Sequence, residues 1–259
     1  MATQTTTGNP LNVVQAPLAT AYVPENLEFF GGRTLPTLAW THVFLGRWAA
    51  ADRRHLDTAV PAAMADANLN RVIQQYFPGK AVESVFQGSQ AGPVPPARVD
   101  KPAVERIVKA LKLPGVATLL LPAGVILADG NVTSEHGLGG YHGSVGGHYY
   151  AVAVYSEGTN GIAAFDEPWK NVCATVYHEL QEARTDPDVE EAARTGKTSY
   201  LGWYSPRGGE IGDIPIVQID STGGGDLSTV FKQVPLAAGG GTVPIQLMWS
   251  NRDSAPASS

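Results

Sequence analysis

The segment His178-Glu179-Leu180-Gln181-Glu182 puts an imidazole and two carboxylates inside five residues. Residues four apart share one face of an α-helix. His178 and Glu182 therefore project together and can grip one cation with a ring nitrogen and a carboxylate oxygen, both good zinc ligands. The layout parallels His-Glu-x-x-His with glutamate as the second ligand. Glu179, directly after the first ligand, stands where that motif keeps its general base. The implied chemistry is metal-assisted: a cation lowers the pKa of water, and a carboxylate outside its coordination shell takes the proton. The same five residues also suit a solvated helix face carrying a stabilising pair. Val172, Val176, Leu180 and Ala183 favour the metal reading, because they give the helix an apolar side with which to pack inside a domain.

The elements that must position this helix follow from periodicity and punctuation. Residues 1–36 are polar and rich in Thr, Pro and Gly, with an apolar piece near Leu11–Val14, and read as an N-terminal arm. Leu38–Trp48 reads as a buried strand. From about Asp52 to Tyr76, apolar residues recur at helical spacing, with Pro61 as a kink or boundary. Ala81–Gln87 is a second strand and 88–100 a loop. Asp100 caps a helix whose apolar face is Val104, Ile107, Val108 and Leu111. Gly115–Ala128 reads as one buried strand, 130–147 as a glycine-rich loop holding His136 and His142, and His148–Tyr155 as a strand. The chemistry-bearing helix spans Asn171–Arg184 and stops at Thr185-Asp186-Pro187, ahead of a short acidic helix at 188–194. A glycine-rich loop at 202–213, a strand Ile214–Ile219, a glycine turn and a strand Val243–Trp249 complete a single domain over 37–251, with 252–259 frayed.

Composition narrows the function classes. A net charge of −6 without a Lys/Arg cluster argues against nucleic-acid binding. A single cysteine, Cys173, rules out an intrachain disulfide framework. No run is long and apolar enough to span a membrane, and the first twenty residues lack a secretory pattern, so a cytoplasmic location is expected. Gly143-Ser144 lacks the glycine frame of a nucleophile elbow, and the runs Gly223–Gly225 and Gly239–Gly241 lack the lysine of a phosphate loop.

Several blocks, taken in order, resemble bacterial zincin-like proteins related to the plant phosphate-induced, or exordium, family. They are Trp40–Trp48 (WTHVFLGRW), Gly139–Ser144 (GGYHGS), Tyr177–Pro187 (YHELQEARTDP), Leu201–Asp213 (LGWYSPRGGEIGD) and Ile245–Asn251 (IQLMWSN). The resemblance runs over roughly residues 38–251. It implies a zincin-like α+β domain, a mixed or antiparallel sheet packed on helices, with the metal on the active-site helix. Where relatives often carry cysteine, this chain has Leu138-Gly139 and Ile214-Pro215, so a disulfide-braced extracellular form is not expected.

A hydrolytic zinc takes three protein ligands and keeps a fourth position open. Glu210 is the first candidate for the third ligand, because a downstream glutamate completes other zincin sites. His142, Asp186 and Asp188 are the alternatives, with Asp186 equally suited to a turn and Asp213 to orienting a ligand from outside the shell. His142 could instead stabilise an oxyanion, alongside Tyr141 or His148. His42, His55 and Cys173 suit packing or surface roles, and Trp203 and Tyr204 suit packing anchors or the lining of a substrate cleft. The resulting expectation is a zinc-dependent hydrolase, most simply a metallopeptidase, acting on a peptide or small molecule. His178, Glu182 and Glu210 would hold zinc, with iron or manganese as other options, and Glu179 and His142 would be catalytic. The alternatives are a non-catalytic binding or signalling module closed around its ion, and a metal-dependent lyase or oxidative enzyme.

Overall fold

The apolar run at Val116–Leu121 is buried at every position, as befits a parallel strand covered on both faces. It is the middle of the sheet on which the molecule is built. The computed structural model describes residues 26–221 and 225–259. The leader through residue 25, including the piece near Leu11–Val14, lies outside the described residues, as do Gly223 and Gly224. Along the chain the elements are β1 (Glu28–Phe29), β2 (Thr37–Leu45), α1 (Ala50–Ala65), α2 (Ala67–Gln74), β3 (Glu83–Gly92), β4 (Arg98–Asp100), α3 (Lys101–Leu111), β5 (Val116–Leu121), β6 (Ile126–Asp129) and β7 (Val132–Thr133). There follow β8 (Gly140–Val145), β9 (His148–Val154), α4 (Pro168–Thr185), α5 (Val189–Thr195), β10 (Trp203–Tyr204), α6 (Asp213–Ser221), β11 (Phe231–Pro235), β12 (Thr242–Gln246), β13 (Met248–Ser250) and β14 (Ala255–Ala257).

The principal sheet has the order β3-β2-β5-β9-β8. Its first four strands are parallel, and β8 pairs antiparallel to β9 at the edge. One face packs against α1 and α4 through Trp40, Phe44, Leu56, Met64, Val176 and Leu180. The other packs against α3 through Val43, Leu119, Val152, Val104 and Val108. The β11–β12 hairpin adds Val243 and Ile245 to the core around α4. The result is a mixed α/β fold with a His/Glu-bearing helix at its centre, in which parallel pairing dominates the main sheet.

Several local expectations are corrected. The 130–147 stretch is not all loop: Gly140–Val145 is the edge strand β8. Gly146 and Gly147, with φ of 58° and 81°, form the two-residue turn of a hairpin whose twist requires positive φ at both positions. Gly115–Ala128 is two strands, because Pro122 and Gly124 break it and send β6 into a separate sheet. Ile214–Ile219 is helical, not a strand; Pro215 sits in the first turn of α6, where its missing N–H costs nothing. The first helical stretch runs through Pro61 and breaks at Asp66, whose side chain accepts from the Asn68 and Leu69 amides to start α2. The C-terminal tail is paired: Ala255–Ala257 lies antiparallel to Met248–Ser250.

Arg184, fully buried at the end of α4, ties the layers together. One guanidinium nitrogen donates to the carbonyls of Pro36 (2.8 Å) and Glu83 (3.0 Å), and the other to Ser84 Oγ (2.6 Å). Arg184→Ala removes these donors and opens a void, so the midpoint of urea unfolding should fall by an amount equivalent to about 3 kcal/mol. Arg184→Met, which keeps most of the volume, should lose less.

Candidate metal centre

Helix α4 is buried from Lys170 through Thr185, on every side. Polar side chains so placed must find partners inside the protein. His178 and Glu182 find each other: Nε2 lies 3.0 Å from Oε2 across one helical turn. The opposite ring nitrogen, Nδ1, is 2.7 Å from Gln246 Oε1 on β12. The Gln246 amide nitrogen donates to the carbonyl of Gly212, which can only accept, so the amide has one possible orientation. When neutral, His178 therefore keeps its proton on Nδ1 and turns the Nε2 lone pair toward Glu182. This is the outer-sphere support that metal-binding histidines ordinarily receive.

Gly212 is needed here for close approach. A Cβ at that position would sit 2.5 Å from His178 Nδ1. Its amide also donates to Glu182 Oε1 at 3.1 Å, leaving Oε2 as the inward oxygen. Asp213, the next residue, brings Oδ1 to 3.8 Å from His178 Nε2. Ligand atoms of His178, Glu182 and Asp213 all lie within 4.8 Å of one another.

His142 enters from the edge strand β8. Its Nε2 is 3.1 Å from the Asp186 carbonyl, an acceptor, so Nε2 carries a proton. Its Nδ1 faces Glu179 Oε2 at 3.5 Å and Glu182 Oε2 at 3.4 Å. His142, Glu179 and Glu182 form a second set of ligand atoms within 4.8 Å. Glu210 places Oε1 3.4 Å from His142 Nε2. Glu179 Oε2 and Glu210 Oε1 are both buried with no hydrogen-bond partner.

The electrostatics of the metal-free cluster follow from this crowding. Burial works to lower the His178 pKa, but Glu182 and Glu179 outweigh it and lift it to about 10. His142 is raised well above the usual imidazole value by Glu210, Glu179 and Glu182 against the same opposition. Burial works to raise Glu182, yet His178 and His142 hold it down to about 2. Burial raises Glu179 and Glu210, and pushes Asp213 and Asp186 up to about 7. Without a cation, protons occupy the inner positions that a cation would take.

The remaining candidates are placed elsewhere. Asp188 accepts from Ser144 Oγ (2.7 Å), lies near Arg33, and belongs to neither ligand set. Asp186 caps α4 and accepts from the Gly202 amide at 2.8 Å; its contribution is the carbonyl that orients His142. Tyr141 belongs to the core on the α3 side of the sheet, with the Lys101 amine over its ring. His148 sits at the start of β9, half-buried and in neither set. His42 is buried between Trp40 and Asp57, and His55 stacks on Trp169. Trp203 packs against Phe29 and Tyr76, and Tyr204 is buried beside β1. Cys173 is buried, which pushes its thiol pKa up and leaves it inert. Gln246 and Gly212 were not singled out from the sequence. A glutamine inside the otherwise apolar run Val243–Trp249 was the available signal for the first. No family model, curated protein or solved structure matches this chain.

Two outcomes are expected. Gln246→Leu should weaken binding of a divalent cation by about 10- to 100-fold in a chelator competition, because His178 loses its orienting partner. The metal-free protein should also lose stability as pH rises. Asp186 and Asp213 move from 3.8 to about 7 on folding and His178 from 6.5 to about 10, so the stability these groups contribute is full below the lower values and lost through the higher ones. The depressed Glu182 acts in the opposite sense, but only between about 2 and 4.5. The melting temperature of metal-free protein should therefore fall between pH 5 and pH 9, measured by differential scanning calorimetry, and saturating zinc should flatten that slope.

Proposed function

We propose that the protein is a metal-dependent hydrolase, most simply a zinc peptidase of zincin-like architecture. The observation that carries the proposal is the buried His178–Glu182 pair, one turn apart with its lone pairs converging, beside a Glu179 oxygen that has no hydrogen-bond partner. The donors fit the group: two imidazoles with fixed outer protons and several carboxylates suit zinc, and equally iron or manganese. His178, Glu182 and Asp213 are the set that would hold the ion, with Glu210 as the other carboxylate within reach of the cluster. When bound, the cation would supply Lewis acidity, polarising a substrate carbonyl and making water acidic enough to lose a proton near neutrality.

The chain's own residues do the rest. Glu179 accepts that proton at Oε2; burial raises its pKa toward the range in which a general base works best. His142 is held by the Asp186 carbonyl and, protonated also on Nδ1, offers a donor to a developing oxyanion. Gln246 and Gly212 fix the tautomer and approach of His178. Kinship with the phosphate-induced, or exordium, proteins belongs to the same proposal. Its support is that four of the blocks carrying the resemblance supply His142, the α4 residues, Glu210 with Gly212 and Asp213, and Gln246 to one cluster.

A second reading, a non-catalytic module closed around its ion, is favoured by one observation. His142, His178, Glu179, Glu182 and Glu210 are all under one-tenth exposed. Only Asp213 opens the cluster outward, with 24% of its side chain accessible.

Purified protein should hold stoichiometric zinc by elemental analysis and cleave denatured casein. Glu179→Gln should keep the ion and lose about 10²- to 10⁴-fold in rate. Metal-free protein after zinc exposure would sink the metal reading, and unchanged cleavage in the variant would sink the base assignment. Binding of a hydroxamate to the cobalt form, seen as a shift of the visible bands, separates an open site from a closed one.

A further inference from the structure

The cluster holds more negative charge than one divalent cation can answer. Glu179, Glu182, Glu210 and Asp213 bring four carboxylates, and His142 and His178 are the imidazoles that face them. With one divalent cation and neutral imidazoles, two negative charges would remain in a water-poor enclosure, which is costly without further cations or protons. That excess is on the β8 side, around His142, Glu179 and Glu210.

The hydrogen-bond arrangement there repeats the one at His178. Each imidazole has its outer nitrogen committed as a donor to an acceptor-only partner: the Asp186 carbonyl for His142, and Gln246 Oε1 for His178. Each inner nitrogen faces the same atom, Glu182 Oε2, at 3.4 Å and 3.0 Å. Glu182 Oε1 is held by the Gly212 amide, so Oε2 alone is shared between the two ligand sets. Glu179 Oε2, buried and without a hydrogen-bond partner, completes the set on the His142 side.

We propose that the protein carries a second divalent-cation site, formed by His142 Nδ1, Glu179 Oε2 and Glu182 Oε2, with Glu182 bridging it to the first. It rests on the one-ion reading above and extends it. Donors of this type, nitrogen and carboxylate oxygen, take manganese, iron or zinc. The second ion replaces the proton on His142 Nδ1 and occupies the Glu179 oxygen that acts as base in the one-ion form. Loading of the second site therefore switches off the proton acceptor, so excess metal restrains the hydrolysis that one ion supports. The first ion's two positive charges beside Glu182 offset part of the remaining negative charge, so the second ion binds more weakly than the first.

The test is titration of the metal-free full chain with Mn²⁺, read by calorimetry, elemental analysis and electron paramagnetic resonance. Two ions per chain in two steps are expected, with an exchange-coupled spectrum appearing as the second loads through the shared carboxylate. His142→Asn should bind one ion and give an uncoupled spectrum. Saturation at one ion per chain overturns the second site and leaves the first intact, whereas no bound ion overturns both. Two uncoupled ions overturn the bridging by Glu182, and two ions in a folded His142→Asn overturn the placement of the second ion at His142. Should that variant fail to fold, the stoichiometry and coupling of the unmodified chain decide the matter.

Discussion

A carboxylate removed from water has to face a cation, a proton or a set of donors, and this fold removes two of them, Glu179 and Glu182, along one helix. Helix α4 runs between the main sheet, α1 and the β11–β12 hairpin, so no side of it is left to solvent. Its polar residues are consequently not surface decoration. Asn171 accepts from the Ala164 and Phe165 amides and fixes the loop leading into the helix, and Arg184 fastens the far end to β3 and the N-terminal segment. Between those two anchors, His178, Glu179 and Glu182 have only one another and what the rest of the chain brings to them.

What the chain brings is set by three long-range contacts. The edge strand β8 contributes His142, aimed by a carbonyl 44 residues later. The loop ahead of α6 contributes Glu210, the first residue of α6 contributes Asp213, and the loop docks through the Gly212 amide on Glu182, 30 residues away. The hairpin strand β12 contributes Gln246, 68 residues from the imidazole it orients. Ile211, Ile214, Val243 and Ile245 dock the last two of these segments on α4. Hydrogen bonds whose donors and acceptors cannot exchange roles then orient the two rings, which is why the tautomers of the neutral imidazoles are determined without reference to any bound ion. The absence of a side chain at Gly212 matters as much as the presence of any ligand, since a methyl group there would push the ring of His178 aside.

The same closure governs access. Two surface hollows, of about 660 and 480 Å³, are lined by Lys101, Glu105 and Glu190 in one case and by Leu35, Lys112 and Tyr149 in the other. Neither includes a residue of the two ligand sets. Asp213, at the start of α6, is the most exposed member of the cluster. Among the described residues no helix is long and apolar enough to cross a membrane.

Local chemistry made part of this legible in the amino-acid order. The His-x-x-x-Glu spacing fixed a shared helix face, Asp100 and Pro102 announced α3, and the run from His148 to Tyr155 announced β9. Those features depend on neighbours a few residues apart. Where periodicity was ambiguous, as in the isoleucine-rich Ile214–Ile219, tertiary packing selected a helix; where glycine concealed a strand, at Gly140–Val145, pairing with β9 created it. Whether the His178–Glu182 face would look into water or into protein could not be read locally, because the answer lies in β8, the Gly212 loop and β12. Only the folded chain decided that Asp213 joins His178 and Glu182, that Glu210 lies against His142, and that Asp188 turns away toward Ser144 and Arg33. The physical reason is that spacing along a helix sets direction, whereas burial and charge pairing are set by whatever distant segment arrives on the other side.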